Sequence, residues 1–229
     1  MSGRLVVVTG GAGGIGRAVA ARFEAGGDRV LAPGRDACDV TDEESVARFF
    51  AGAGAVDVLV NNAGRAESAP LARTTLESWH GHLDVNATGA FLCTRAVIDG
   101  MRSRGSGAIV TVASIAGRVG TRYTAAYTAS KHAAVGLMRA AAAELAGTGA
   151  TANAVCPAFV NSPMTDRSVA RIEEISGRGG ARRSLEEMTP LGRLLEPDEV
   201  AAAVAWLASP AAAAVNGQTL VLDGGGIQA

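Results

Sequence analysis

Two side chains four residues apart, Tyr127 and Lys131, are the most chemically suggestive pair in this sequence. They fall in a helical pattern over 124–147, where positions i and i+4 share a face, so a phenol and an ammonium are expected to project into one cavity. A free tyrosine, with a pKa of about 10, is a poor proton shuttle near neutral pH, and a neighbouring cation favours its phenolate. Lys131 is the single lysine among 21 lysines and arginines, and its compact ammonium differs in shape from arginine's planar fork. A Tyr-x-x-x-Lys spacing arises by chance in many proteins, so its meaning depends on the rest of the chain.

A second constellation stands near the start. Leu5, Val6, Val7, Val8 and Thr9 form an apolar, β-branched run suited to a strand buried on both faces. Gly10, Gly11, Gly13, Gly14 and Gly16 follow, with Ile15 among them, and a helical pattern covers 17–25. Strand, glycine turn and helix in that order are the setting of a dinucleotide-binding loop. Glycines let the backbone and the helix N-terminus approach a pyrophosphate, where unpaired N–H groups and the helix dipole favour negative charge. By itself such a turn can also merely join a strand to a helix.

The elements that must position these residues repeat along the chain. Short apolar runs at 29–32, 56–61, 108–113, 151–156 and 219–222 alternate with helical patterns around 43–51, 75–103, 124–147 and 197–208. Continuous apolar strands alternating with helices predict a parallel sheet covered on both faces, a doubly wound α/β fold in a single domain over 1–229. After the second run there is no room for a full helix before Cys38, Asp39 and Val40, so one crossover is expected to shrink to a loop or a single turn. The segment 158–190 is long, polar and rich in glycine and arginine, which predicts a substrate lid with some helix of its own.

Composition narrows the function classes. At 229 residues, 48% hydrophobic and 19% charged, the chain can bury a full core. A formal charge of -1 supplies no basic field for nucleic acid or an anionic membrane surface, and no apolar run reaches membrane-spanning length. A cytoplasmic protein with no nucleic-acid or membrane partner is expected. Cys38, Cys93 and Cys156 are odd in number and lack zinc-ligand spacing, so buried, reduced thiols and no metal are expected. His80, His82 and His132 have no matching partners for a metal or a triad.

Thr9 to Gly16 read TGxxxGxG, and Asn61, Asn62, Ala63 and Gly64 end a strand as NNAG, although that element alone would pass for an ordinary turn. Together with Tyr127-x-x-x-Lys131, these motifs resemble the classical short-chain dehydrogenase/reductase family over nearly the whole chain. Within that family the chain is most like the 3-oxoacyl-thioester reductases. The resemblance implies a Rossmann fold with a mainly seven-stranded sheet, a homotetramer, and hydride exchange between a nicotinamide and a carbonyl or secondary alcohol. It implies that Tyr127 gives the proton, Lys131 stabilises the phenolate and holds a ribose hydroxyl, and Ser114 orients the substrate oxygen. Asn86 would steady a helix bend and a water reaching Lys131. Read without the resemblance, Ser114 could be a helix cap and Asn86 a buried, hydrogen-bonded polar residue.

The resemblance also assigns cofactor contacts to Gly10, Gly14, Ile15, Gly16, Asn62, Ala63, Gly64, Pro157, Val160 and Ser162. Asp39 resembles the acid that contacts the adenine amino group, with helix capping before Thr41 as the alternative. The position of the usual NAD-selecting acid is Gly34, and Arg35 follows where NADP-dependent members carry a base, which favours NADP(H) over NAD(H). Asp36 beside it, and Gly13 where many relatives have a second base, pull the other way. Ala158 replaces the usual glycine after Pro157, a strained choice if that backbone needs a positive φ. Arg167, Arg171, Arg178, Arg182 and Arg183 against Asp166, Glu173 and Glu174 suggest either a mouth for a coenzyme A or acyl-carrier-protein thioester, or a solvated helix. The competing functions are NAD-dependent oxidation of a cyclic or sugar alcohol, and a non-catalytic nicotinamide redox sensor, which would not need the Ser114, Tyr127 and Lys131 set.

Overall fold

Alternation inside the strands decides which helices cover which face. In the computed structural model, which describes residues 3–227, Leu5 and Val7 of β1 (Leu5–Val8) enter one core while Val6 and Val8 enter the other. The first core receives Phe50 of α2 (Glu43–Ala53), Val97 of α4 (Gly89–Arg104) and Met138 of α5 (Ala125–Leu145). The second receives Phe23 of α1 (Gly14–Ala25) and Val204 of α8 (Pro197–Leu207). A sheet apolar on both faces must be covered twice, as the continuous hydrophobic runs imply.

The remaining strands are β2 (Arg29–Leu31), β3 (Val58–Asn61), β4 (Gly107–Val112), β5 (Ala150–Pro157) and β6 (Thr219–Leu222). All pair in parallel, in the order β2-β1-β3-β4-β5-β6. The sheet therefore has six strands among the described residues, where seven were expected. The missing one is the stretch at 38–40. The Cys38 amide donates to the Gly34 carbonyl at 3.0 Å and the Asp39 amide to Ser45 Oγ at 3.0 Å, so the donors a ladder would need are taken locally. With no strand at 38–40, the chain turns there and the connection from β2 to β3 carries a full helix, α2, rather than the loop or single turn expected.

The long helical pattern over 75–103 is interrupted. α3 (Leu76–Leu83) runs into a π-helical turn (Asp84–Thr88) and then α4, with the Gly89 amide reaching the Asp84 carbonyl five residues back. Such wide turns swing a side chain out of helical register and are frequent at functional sites. Asn86 lies in the middle of this one. In the 158–190 segment, α6 (Pro163–Ser176) and α7 (Ala181–Glu187) account for most of the length. Cys38, Cys93 and Cys156 are buried free thiols. Among the described residues no helix is long and apolar enough to cross a membrane.

Candidate active site

β1 has β2 on one side and β3 on the other, so the chain leaves the carboxyl ends of β1 and β3 in opposite directions and opens a crevice between them. The residues there are Thr9, Gly10 and Asn62. Thr9 Oγ1 accepts the amides of Asn62 (3.1 Å) and Ala63 (3.2 Å). Asn62 Nδ2 donates back to the carbonyls of Thr9 (3.0 Å) and Gly10 (3.1 Å), and the two loops become one unit. Gly10 has φ +65, and a Cβ on it would stand 2.9 Å from Ala63 Cα. At Gly16 a Cβ would stand 2.4 Å from the Gly10 carbonyl oxygen. Only glycine permits this packing of the turn against α1, whose N-cap Gly13 carries no side chain.

Across the crevice, Ser162 caps α6 with its hydroxyl accepting from the Thr165 amide at 3.4 Å. A Cβ on Gly14 would meet Ser162 Cβ at 3.5 Å, so the N-termini of α1 and α6 face a common space. Ile15 packs against the second core and Pro157 ends β5 opposite Leu222. Val160 pairs with Leu195, and its carbonyl accepts Thr165 Oγ1 at 2.6 Å. Two converging helix N-termini above a side-chain-free turn fit a pyrophosphate.

The other half of the site begins where β4 ends. Ser114 starts a short 3-10 turn (Ile115–Gly117), accepts the Ala116 amide at 3.1 Å, and its hydroxyl also bonds Tyr127. Ser114 is thus a cap, and its hydroxyl also stands beside the Tyr127 phenol. Lys131 Nζ donates to the Val112 carbonyl at 2.9 Å and lies 5.8 Å from the centre of the Tyr127 ring. Gly64 closes the gap between the halves, since a Cβ there would be 3.8 Å from Lys131 Nζ and 3.4 Å from Asn86 Oδ1. The glycine turn, NNAG, Asn86 and the Tyr127–Lys131 pair therefore lie together at the carboxyl ends of the strands.

Burial governs the electrostatics. It lowers Lys131 to about 8, against the opposing pull of the Cys156 thiol. It also pushes the Tyr127 phenol above its ordinary value, an effect that the Ser114 hydrogen bond reduces and Cys156 adds to. The lowering of the phenol by its lysine, expected from the i,i+4 spacing, is not the dominant effect. The ammonium is committed to the Val112 carbonyl, and desolvation of the phenolate is the largest cause of the shift.

Asn86 Oδ1 accepts the Arg65 amide at 2.8 Å, while Nδ2 donates to the Arg65 carbonyl and to Ser130 Oγ, each at 2.9 Å. Ser130 Oγ in turn donates to the Tyr127 carbonyl at 2.8 Å. At the far end, Arg35 is exposed and ion-paired to Asp39 at 2.9 Å. Asp39 also accepts the Thr41 amide (3.0 Å) and hydroxyl (2.7 Å), and the Thr41 hydroxyl, followed by burial working against it, leaves its carboxyl below the usual value. Ala158 is not strained: among the described residues only Tyr123 departs from negative φ without being glycine, at φ 64.

Three of the 158–190 arginines are neutralised within the segment or by its own helices: Arg182 by Asp166, Arg171 by Glu174 and Arg183 by Glu187. Three further side chains bond within the site: Thr9, which the TGxxxGxG motif includes without a role of its own, Ser130 and His82. Thr9 was legible as the last residue of a strand facing a glycine turn. Ser130, inside the Tyr-to-Lys interval, had no distinguishing signal, because its partner Asn86 comes from another helix.

Known proteins resemble this chain over most of its length. Residues 34–226 match the family model described as enoyl-(acyl carrier protein) reductase. A crystal structure of a variant actinorhodin polyketide ketoreductase with NADPH superposes with a TM-score of 0.92 at 36% identity, covering 97% of each chain. The 2,5-dichloro-2,5-cyclohexadiene-1,4-diol dehydrogenase of Sphingobium indicum is 38% identical over 98% of this chain and 97% of its own. A 3-oxoacyl-[acyl-carrier-protein] reductase of Synechocystis is 40% identical over 74% of this chain and 64% of its own.

Proposed function

This chain belongs to the classical short-chain dehydrogenase/reductase family, and we propose that it is an NADP(H)-dependent carbonyl reductase acting on a 3-oxoacyl thioester. The observation that carries the reading is the single cleft holding Ser114, Tyr127 and Lys131 beside a glycine turn locked to Asn62. Gly10, Gly14 and Gly16 with the α1 N-terminus and Ser162 would receive the pyrophosphate, Val160 the carboxamide, and Arg35 a 2′-phosphate. A bound nicotinamide supplies the reducing equivalent to the substrate carbon. Ser114 Oγ orients the carbonyl oxygen, and Tyr127 Oη delivers the proton to it. Lys131 stabilises the phenolate left behind, and Asn86 keeps the Arg65 backbone and Ser130 fixed around that pair. Oxidation of an alcohol uses the same groups in reverse.

NADP(H) is supported by the exposed guanidinium of Arg35, held at the end of β2 by Asp39. A second reading, NAD-dependent oxidation of a cyclic alcohol, is favoured by the pairing of Arg171, Arg182 and Arg183, which leaves fewer free cations for a phosphate-bearing carrier. A redox sensor without turnover would not need the Ser114–Tyr127–Lys131 set. Half-exposed Phe91 on α4 and Trp206 on α8 support assembly as a homotetramer.

Initial rates with acetoacetyl-CoA and with a panel of cyclic alcohols, each with NADPH or NADP and with NADH or NAD, test the assignment. Preference for the thioester with NADPH is expected, and Arg35→Ala should weaken NADPH far more than NADH. Turnover of the alcohols alone with NAD would replace both the substrate and the cofactor assignment.

A further inference from the structure

His82 is fully buried beside the site, yet neither the family motifs nor the mechanism above uses it. Both of its ring nitrogens are engaged. Nδ1 lies 2.7 Å from the Ser78 carbonyl, which can only accept, so Nδ1 carries the proton. Nε2 is then the bare nitrogen, and it receives the Glu67 amide at 3.0 Å. The imidazole is thereby held in one tautomer. Its ring and the Tyr127 ring meet in a T-shaped contact, with centroids 6.3 Å apart and planes at 75°.

Asn86 stands four residues further along the same helical path and behaves in parallel. It grips the backbone of Arg65, two residues before Glu67, and reaches α5 through Ser130. Beyond it, the Ala69 amide donates to the Tyr123 carbonyl at 2.8 Å. The segment 64–69 is thus fastened at Arg65, Glu67 and Ala69 as it passes the Tyr127–Lys131 pair. Of the side chains that fasten it, His82 and Asn86 each also touch the helix carrying Tyr127.

We propose that His82 is a positioning residue for Tyr127: its bare Nε2 fixes the Glu67 amide and its ring sets the Tyr127 ring, so that the phenol and the 64–67 wall keep one geometry. This rests on the reading of Tyr127 as proton donor. An error of about 1 Å in such a group can cost about a hundredfold in rate, which makes a fixed ring worth two contacts.

Two substitutions separate the contacts. His82→Phe keeps a ring and removes the acceptor, whereas His82→Gln keeps an acceptor and removes the ring. Steady-state rates with the preferred carbonyl substrate should show kcat down about tenfold in His82→Phe, with cofactor Kd within about twofold of wild type. His82→Gln should recover more than half of that loss on a logarithmic scale. In a Tyr127→Phe background, single-turnover rates at excess enzyme should fall no further when His82→Phe is added, because a residue acting through Tyr127 has nothing left to position. In the wild type, the imidazole 15N spectrum should show the proton on Nδ1.

Wild-type kcat in His82→Phe, a loss that multiplies with Tyr127→Phe, or a proton on Nε2 would each overturn the proposal. Tyr127→Phe turning over at the wild-type rate would instead bring down the proton-donor reading itself, whatever the His82 variants do.

Discussion

The sheet-edge half of the cleft and the 158–190 segment treat polar groups in opposite ways. At the sheet edge, side chains bond to backbone: Asn62 to Thr9 and Gly10, Asn86 to Arg65, Lys131 to Val112, His82 to Glu67. These groups are buried or half-buried, and moving one means unmaking a strand end or a helix turn. In 158–190 the charged groups bond to one another at the surface, Arg182 to Asp166 and Arg171 to Glu174, in pairs worth about 0.2–1 kcal/mol each. The first region is built to keep one geometry and the second to be revised cheaply. Chemistry is therefore expected to reside in the first and selectivity in the second.

The sharpest way to break that division is Tyr127→Phe. Turnover should fall by about a thousandfold or more while cofactor still quenches intrinsic fluorescence with near-normal affinity, since only the transferable proton is removed. A fall in cofactor affinity of similar size would mean that the two halves of the cleft are not separable.

Lys131 gives a smaller, pH-dependent effect. Burial holds its pKa at about 8, below the 10.5 of a free lysine, so between those values the unfolded chain binds more protons than the folded one. Stability contributed by this group must then rise with pH across that window, and the cost of the buried ammonium is fully present below about 8. In denaturant titrations from pH 7 to 10.5, wild type should gain about 3 kcal/mol relative to Lys131→Met. A constant difference would place the ammonium in water-like surroundings. Activity that needs the charge should decline over the same range.

Smallest of all is Arg182→Ala, which removes the contacts to Asp166 and Asn161. Thermal stability should change by less than about 1 kcal/mol, and kcat hardly at all, while KM for substrate shifts by a few-fold. A large drop in kcat would carry the chemistry into the segment assigned to selectivity.

Much of this could be read from the chain because it depends on neighbours in sequence. Strand runs such as 5–8, the glycine turn, and the shared face of Tyr127 and Lys131 are all local patterns, and the fold and cleft follow from them. What escaped depends on distant partners. The stretch at 38–40 adds no strand because Gly34 and Ser45 claim the Cys38 and Asp39 amides. Tyr127 was expected below its ordinary pKa because spacing shows Lys131 and conceals the many apolar atoms that desolvate the phenol. Ser130 and His82 acquire roles only through Asn86, Glu67 and Tyr127. Ala158 gave a false warning, because the loop after β5 keeps a negative φ and passes its amide to Leu222.

The strand order has a kinetic consequence. β1 pairs with β3 by setting Val6 beside Val58, and β4 with β5 by setting Ala108 beside Thr151. Each ladder waits for an intervening helix and pays the entropy of closing a long loop before its first contact forms. During synthesis the valines of β1 therefore leave the ribosome well before their central partner does. Refolding should be slow for a chain of this size, and the interval in which those valines stand unpaired is when aggregation competes with folding.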